Sequence, residues 1–144
     1  MNGDGNGISS GGEKAVVPAG RPCHILVVDD DKDVATSIVR ALEVLGYTAV
    51  TCSHAQEAFE VLGAQSFDLL LVDYRMPELT GLDLVTLLRE EGHKIPAIMM
   101  TGYFATEDRV RVEQLGISAI LRKPITLPVL SHAIEEQLAV TRVA

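Results

Sequence analysis

The feature that most constrains this chain is the stretch Phe67 to Gly81, FDLLLVDYRMPELTG, in which an aliphatic run ends directly on an acid. Asp68 to Val72 carries four consecutive aliphatic residues without polar alternation, the pattern of a strand buried on both faces. Asp73 is then a carboxylate held at the tip of a rigid element. Met76-Pro77 and Thr80-Gly81 break the chain after it, and helical periodicity resumes at Leu82. Asp73 is thereby placed in a strand-to-helix crevice, where parallel α/β sheets bind ligands. A lone acid in such a place ordinarily caps a loop or meets solvent, so its meaning depends on what ends the other strands.

From Cys23 onward the chain alternates. His24 to Val28 is a buried-type strand followed by Asp29, Asp30 and Asp31, and a helix follows with apolar positions at Val34, Ile38, Ala41, Leu42 and Leu45. Gly46 closes it as a C′ glycine. Tyr47 to Cys52 reads as a second strand, and a helix opened by Ser53 or His54 buries Ala55, Ala58, Phe59 and Leu62. The central strand comes next. Leu82, Val85 and Leu88 mark the third helix, and Ile95 to Met100 the fourth strand, with Pro96 tolerable only near its start. Glu107 to Leu115 is a poorly amphipathic fourth helix, Ala119 to Leu121 a fifth strand, and Leu127, Leu130, Ile134 and Leu138 the stripe of the last helix. Five strands alternating with five helices imply a parallel sheet covered on both sides, because right-handed crossovers place a helix between consecutive strands.

At 144 residues there is room for one domain with a real core. Twelve basic against twenty acidic residues give a formal charge of −8, which repels phosphate backbones and anionic membrane surfaces, so no direct nucleic-acid or membrane partner is expected. Residues 1–22 are Gly/Ser-rich and read as a flexible tail, residues 23–140 as the folded domain, and 141–144 as a short C-terminal tail. No apolar run is long enough for a membrane span. Cys23 and Cys52 fall near opposite ends of two parallel strands, too far apart to bridge, which suits reduced thiols in a cytoplasmic protein.

In such a sheet every strand points its C-terminal end the same way. Those ends carry Asp29, Asp30 and Asp31 after the first strand, Asp73 after the third, Thr101 after the fourth and Lys123 after the fifth. Carboxylates crowded together repel by roughly 4 kcal/mol per close pair at an effective dielectric near 20, and so need a cation or a proton. Oxygen-only ligands with room for water suit Mg²⁺. A carboxylate beside such a metal is also a plausible nucleophile toward a phosphoryl group, with Thr101 and Lys123 placed to meet the transferred charge. Taken singly, an Asp pair before a helix is a cap, Thr101-Gly102 a turn and Lys123 a solvated lysine.

Taken together and in this order, these marks resemble the receiver domain of two-component response regulators, of the chemotaxis-regulator-like kind, from about Cys23 to Leu138. HILVVDDD resembles the family's first strand and acidic pair, LLLVDYRMPELTG its phosphoacceptor strand and loop, MMTG its hydroxyl position and RKP its lysine. The resemblance implies a flavodoxin-like (βα)5 fold with strand order 2-1-3-4-5. It implies transfer of a phosphoryl group from a histidine kinase's phosphohistidine onto Asp73, with Thr101 and Lys123 as the other catalytic residues. Mg²⁺ would be held by Asp30, Asp73 and the backbone carbonyl of Arg75, with Asp29 reaching it through water. It also implies a cis Lys123-Pro124 bond, a partner kinase or phosphotransfer protein, and a downstream protein target or an output domain. The protein would catalyse only its own phosphorylation and dephosphorylation.

Two departures stand out. Ile120 occupies the position three before the lysine where the family usually has an aromatic, so the switch is expected to run through Tyr103 or Phe104, with Ile120 staying packed beside the fifth strand. The sequence also ends at Ala144 without an output domain, as in a stand-alone regulator or an excised receiver. Among rivals, a Mg²⁺-dependent phosphatase would want a second acid where Arg75 stands, and a flavin-binding module a Gly- and hydroxyl-rich loop where three acids stand. A phosphorylation-independent protein-interaction module on the same fold is the alternative that the residues leave open.

Overall fold

The computed structural model describes residues 22–102 and 108–143. Strands β1 (His24–Val28), β2 (Thr48–Cys52), β3 (Leu69–Asp73), β4 (Ala97–Thr101) and β5 (Ile117–Arg122) alternate with helices α1 (Lys32–Val44), α2 (Ala55–Ala64), α3 (Gly81–Glu90), α4 (Arg109–Gln114) and α5 (Leu127–Val143). All strand pairs are parallel, and the order is β2-β1-β3-β4-β5. This is the parallel sheet covered on both sides that the alternation of strands and helices predicts, in the flavodoxin-like strand order that the resemblance implies.

The unbroken apolar strands are explained by where their side chains go. Because successive residues point to opposite faces, Ile25, Val27, Leu69, Leu71, Ile98 and Met100 meet α1 and α5, while Leu26, Val28, Leu70, Val72, Ala97 and Met99 meet α2, α3 and α4. β3 is buried at every position and lies at the centre of the sheet. α1 contributes Ala35, Ile38 and Leu42, and α3 contributes Leu82, Leu84, Val85 and Leu88. α4 contributes Val112 alone, and its Val110 is 63% exposed, which bears out its weak amphipathicity.

Several boundaries differ from the sequence reading. Asp73 and Thr101 lie within β3 and β4 and not just beyond them, because Asp73 still pairs with Met100 and Thr101 with Arg122. Asp68 lies outside the strand, where its carboxylate accepts from the His24 amide at 2.8 Å. β5 extends well beyond Ala119–Leu121. In α5, Leu130, Ile134 and Leu138 are buried as expected, but Leu127 is 40% exposed at the helix's first position and Ala133 takes a place in the core. Gly46 does close α1, at φ +92. Both cysteines are buried and unbridged. Tyr103, Phe104 and Glu107, and the tail as far as residue 21, lie outside the described residues.

Candidate functional site

Four strand ends, of β1, β3, β4 and β5, build the site. β1 delivers Asp29, whose amide donates to the Cys52 carbonyl at 3.0 Å and so continues the ladder one residue past the strand. β3 delivers Asp73. The next residue is tied on both sides, since the Tyr74 amide donates to the Met100 carbonyl and its carbonyl accepts from the Gly81 amide, each at 2.8 Å. β4 ends in Thr101, and the Thr101 carbonyl accepts from the Lys123 amide at 2.8 Å, which fixes the lysine's backbone against the threonine. The Lys123-Pro124 bond is cis.

These elements bring the side chains together. Asp29 is 1% exposed, Asp73 6% and Thr101 4%. The Lys123 ammonium donates to Asp29 Oδ2 at 2.8 Å and pairs with Asp73 Oδ1 at 3.0 Å. Oxygens of Asp29, Asp30 and Asp73 lie within 4.8 Å of one another, with Asp30 on the exposed side. Three carboxylates against one ammonium leave two negative charges in a largely buried rim. Burial pushes the Asp73 carboxyl up to about 6, with Asp29 and Asp30 adding to the rise and Lys123 opposing it. For Lys123, burial pulls the ammonium down, but its bonds to Asp29 and Asp73 outweigh that and leave it raised. An all-oxygen set with two charges unbalanced is chemically matched to a hard divalent cation.

Asp31 stands apart from this set. Its carboxylate accepts from the Asp33 amide at 3.0 Å and the Val34 amide at 3.2 Å, capping α1, while its own amide donates to Asp29 Oδ1 at 2.9 Å. It therefore acts as a cap and as a brace for Asp29.

Comparison with known proteins settles the family. The description "Response regulator receiver domain" matches residues 25–135. The chain belongs to the response regulator receiver domains. It is 31% identical over 118 residues to the transcriptional regulatory protein GlrR of Escherichia coli K12, covering 82% of this chain and 27% of that protein. It is 36% identical over 104 residues to the response regulator MprA of Mycobacterium ulcerans, covering 72% of this chain and 45% of the relative. The chain thus spans less than half the length of these curated relatives. Among solved structures, a response regulator receiver protein from Pseudomonas putida matches with TM-score 0.77 at 31% identity, covering 83% of this chain and 99% of that one. A CheY-like receiver domain from Methanospirillum hungatei JF-1 matches with TM-score 0.77 at 29% identity, covering 83% and 95%.

The receiver's rim holds Asp29, Asp30, Asp73 and Lys123 together, and Thr101 is joined to Lys123 through its backbone carbonyl. Arg75 is exposed, with its guanidinium 5.8 Å from the Tyr74 ring centroid. Ile120 is half-buried against the core on the α2, α3 and α4 side. Three features of the site escaped sequence reasoning. Thr80 and Asp83 form a capping box that sets the start of α3, with Asp83 N donating to Thr80 Oγ1 at 3.1 Å and Thr80 N to Asp83 Oδ2 at 3.0 Å; the Thr-x-x-Asp spacing was the available signal. Gly81 packs against the backbone of Asp73. The Tyr74 hydroxyl donates to the carboxylate of Asp108.

Proposed function

We propose that this receiver domain accepts a phosphoryl group from a phosphohistidine onto Asp73 in a Mg²⁺-dependent reaction, and thereby changes a protein-interaction surface. The observation that carries the reading is the buried Asp73 carboxylate at the end of the central strand, engaged by Lys123 and crowded by Asp29 and Asp30. Lys123 holds Oδ1, so Oδ2 is the oxygen left to attack phosphorus. As the new O–P bond forms, the donor's P–N bond breaks and its electron pair goes to the imidazole nitrogen. Lys123 can turn from its carboxylates to a phosphoryl oxygen, and the Thr101 hydroxyl can donate to another. Asp30, Asp73 and the Arg75 carbonyl would hold Mg²⁺, with Asp29 behind a water. When bound, the ion supplies charge neutralisation for the carboxylates and the phosphoryl oxygens.

The protein acts in this reading only on itself, as a cytoplasmic phosphoprotein of a phosphorelay. Its partners are a sensor histidine kinase or phosphotransfer protein upstream, and a protein target or covalently linked output domain downstream. The family supports that reading. Incubation with Mg²⁺ and acetyl phosphate, followed by intact mass, tests it: one phosphoryl group should be gained, and lost at alkaline pH. No gain with Mg²⁺ present would leave a phosphorylation-independent interaction module.

The two outer acids should separate by experiment. Asp30→Ala should weaken Mg²⁺ binding at least tenfold in a direct titration, because it removes a ligand of an oxygen site. Asp31→Ala should leave Mg²⁺ affinity nearly unchanged and instead cost about 1 kcal/mol of stability through the lost cap. The reverse order would overturn this division of labour.

Arg75 bears on the lifetime of the phosphorylated state. It stands two residues after the acceptor and is bulky, so it screens the approach of water to phosphorus. Arg75→Asn should shorten the phosphoryl lifetime several-fold, read by loss of the mass increment with time. An equal or longer lifetime in the variant would refute steric screening.

A further inference from the structure

The loop between β3 and α3 is closed on itself. The Gly81 amide donates to the Tyr74 carbonyl at 2.8 Å, so residues 75–80 are looped across one backbone bond. Within the loop the Leu79 amide donates to the Pro77 carbonyl at 2.8 Å around Glu78, whose φ is +74. This tight turn lies in the left-handed region, which a non-glycine residue enters only under strain. A strained loop keeps its shape through what holds its ends. Tyr74 is held by its bond to Met100 of β4. Thr80, at the other end, is gripped by Asp83: the Thr80 amide donates to Asp83 Oδ2 at 3.0 Å, and its hydroxyl accepts from the Asp83 amide at 3.1 Å.

The same carboxylate reaches α4. Asp83 Oδ1 accepts from Arg111 Nη2 at 2.9 Å, so each oxygen of Asp83 serves a different element. The Arg111 bond, ahead of the bonds to Thr80, holds the Asp83 carboxyl below the usual carboxylate range and keeps both oxygens acceptors. Arg111 Nη2 also donates to Thr86 Oγ1 at 3.1 Å, and that hydroxyl donates to the Leu82 carbonyl at 2.7 Å. Thr86 thus meets the guanidinium without touching the loop. The side chains of Arg111 and Asp83 are 41% and 43% exposed, so the pair has the modest strength of one at a surface.

We propose that Arg111, on α4, is a positioning residue for the metal-binding loop: by fixing the Asp83 carboxylate it holds Thr80, and with it the Arg75 carbonyl, in the geometry that receives Mg²⁺. The inference rests on the Mg²⁺ site proposed above. Arg111 touches no reacting atom and acts through Asp83. Coupling of this kind is reciprocal, so an ion that orders the loop tightens the Asp83–Arg111 tie by the same factor. Occupancy of the rim is thereby passed to α4 through the start of α3. The sign of the effect separates positioning from bare charge. Removing a cation near an acidic rim strengthens its attraction for Mg²⁺, whereas removing a residue that holds the loop weakens binding.

A direct Mg²⁺ titration of the full chain tests this. Arg111→Gln should weaken Mg²⁺ binding about threefold, the scale of one exposed ion pair. Asp83→Ala should weaken it as well, and adding Arg111→Gln to Asp83→Ala should bring no further loss, because the guanidinium then has no box to hold. Thr86→Ala removes the acceptor that lies off this path and should leave the affinity at the wild-type value. Unchanged or tighter binding in Arg111→Gln, a further loss in the double variant, or an equal loss in Thr86→Ala would overturn the proposal. Hydrogen exchange at the Thr80 amide in chelator reads the same hold without metal. Arg111→Gln should speed that exchange about threefold, and an unchanged rate would also overturn the proposal. If wild type takes up no Mg²⁺, the metal site falls with the proposed function, and the Thr80 exchange still decides whether Arg111 holds the loop.

Discussion

Asp73→Asn should reduce phosphoryl incorporation from acetyl phosphate and Mg²⁺ to the background of the unreacted protein, a loss of at least a hundredfold in initial rate. The amide is nearly isosteric with the carboxylate and keeps an oxygen for Lys123, so the site's shape survives while the nucleophile is gone. The neighbouring acids are poor substitutes. Asp29 is 1% exposed, with one oxygen accepting from the Asp31 amide and the other from Lys123, and Asp30 is not at the end of the central strand. Undiminished incorporation at another residue would refute Asp73 as acceptor.

The same substitution should change stability with a definite sign. The folded Asp73 carboxyl is raised to about 6 from the ordinary 3.8, first by burial and then by Asp29 and Asp30. A group raised in the folded state contributes fully below its unfolded pKa and loses that contribution as pH rises through the folded one, so Mg²⁺-free wild type should weaken between about pH 4 and pH 6. Asp73→Asn removes the ionisation, flattens that window and should gain on the order of 1–3 kcal/mol at neutral pH. Urea unfolding across the pH range in chelator measures it. A variant less stable than wild type at neutral pH would show that the ion pair with Lys123 outweighs the crowding.

Most of the fold and the rim were legible because they rest on short-range rules. An aliphatic run without alternation declares a strand covered on both faces, and parallel strands put their C-terminal residues on one edge, so Asp29, Asp73, Thr101 and Lys123 could be assembled from the chain alone. Asp31 could likewise be set aside as a cap from its place at the start of a helix. The illegible part is the set of long-range polar ties. Tyr74 with Asp108, Arg111 with Asp83 and Thr86, and Lys123 with both Asp29 and Asp73 join side chains whose partners are chosen by the packed arrangement of α3, α4 and the strand ends. Periodicity says which side of a helix is wet, but not which charged residue waits opposite. Leu127 fails for a related reason: it fits the apolar stripe of α5 in spacing, yet at the helix's first position it leaves the sheet behind.

Gly81→Ala should be among the most damaging single-methyl additions in this domain. Gly81 opens α3, and its amide donates to the Tyr74 carbonyl at 2.8 Å, so the helix start is drawn close against the end of β3. A Cβ at this position would lie 2.4 Å from the Asp73 carbonyl oxygen and 3.1 Å from both the Asp73 carbonyl carbon and Val72 Cγ2. The nearest obstacle is backbone of the central strand, which has no rotamer to change. Relief therefore requires α3 to move off β3, breaking the Gly81–Tyr74 bond, or Asp73 to move out of register with Met100. Either shift costs about 3 kcal/mol by the usual scale of overpacking in a filled core. Movement of α3 also disturbs the Thr80–Asp83 capping box and, through Asp83, the tie to Arg111 on α4. Because the methyl group adds no charge and removes none, reduced phosphorylation in the folded variant would report displacement of the acceptor and not loss of chemistry. Denaturant unfolding and intact-mass phosphorylation on the same sample separate the two effects, and a stability loss below about 1 kcal/mol with wild-type incorporation would show that β3 and α3 can part without consequence.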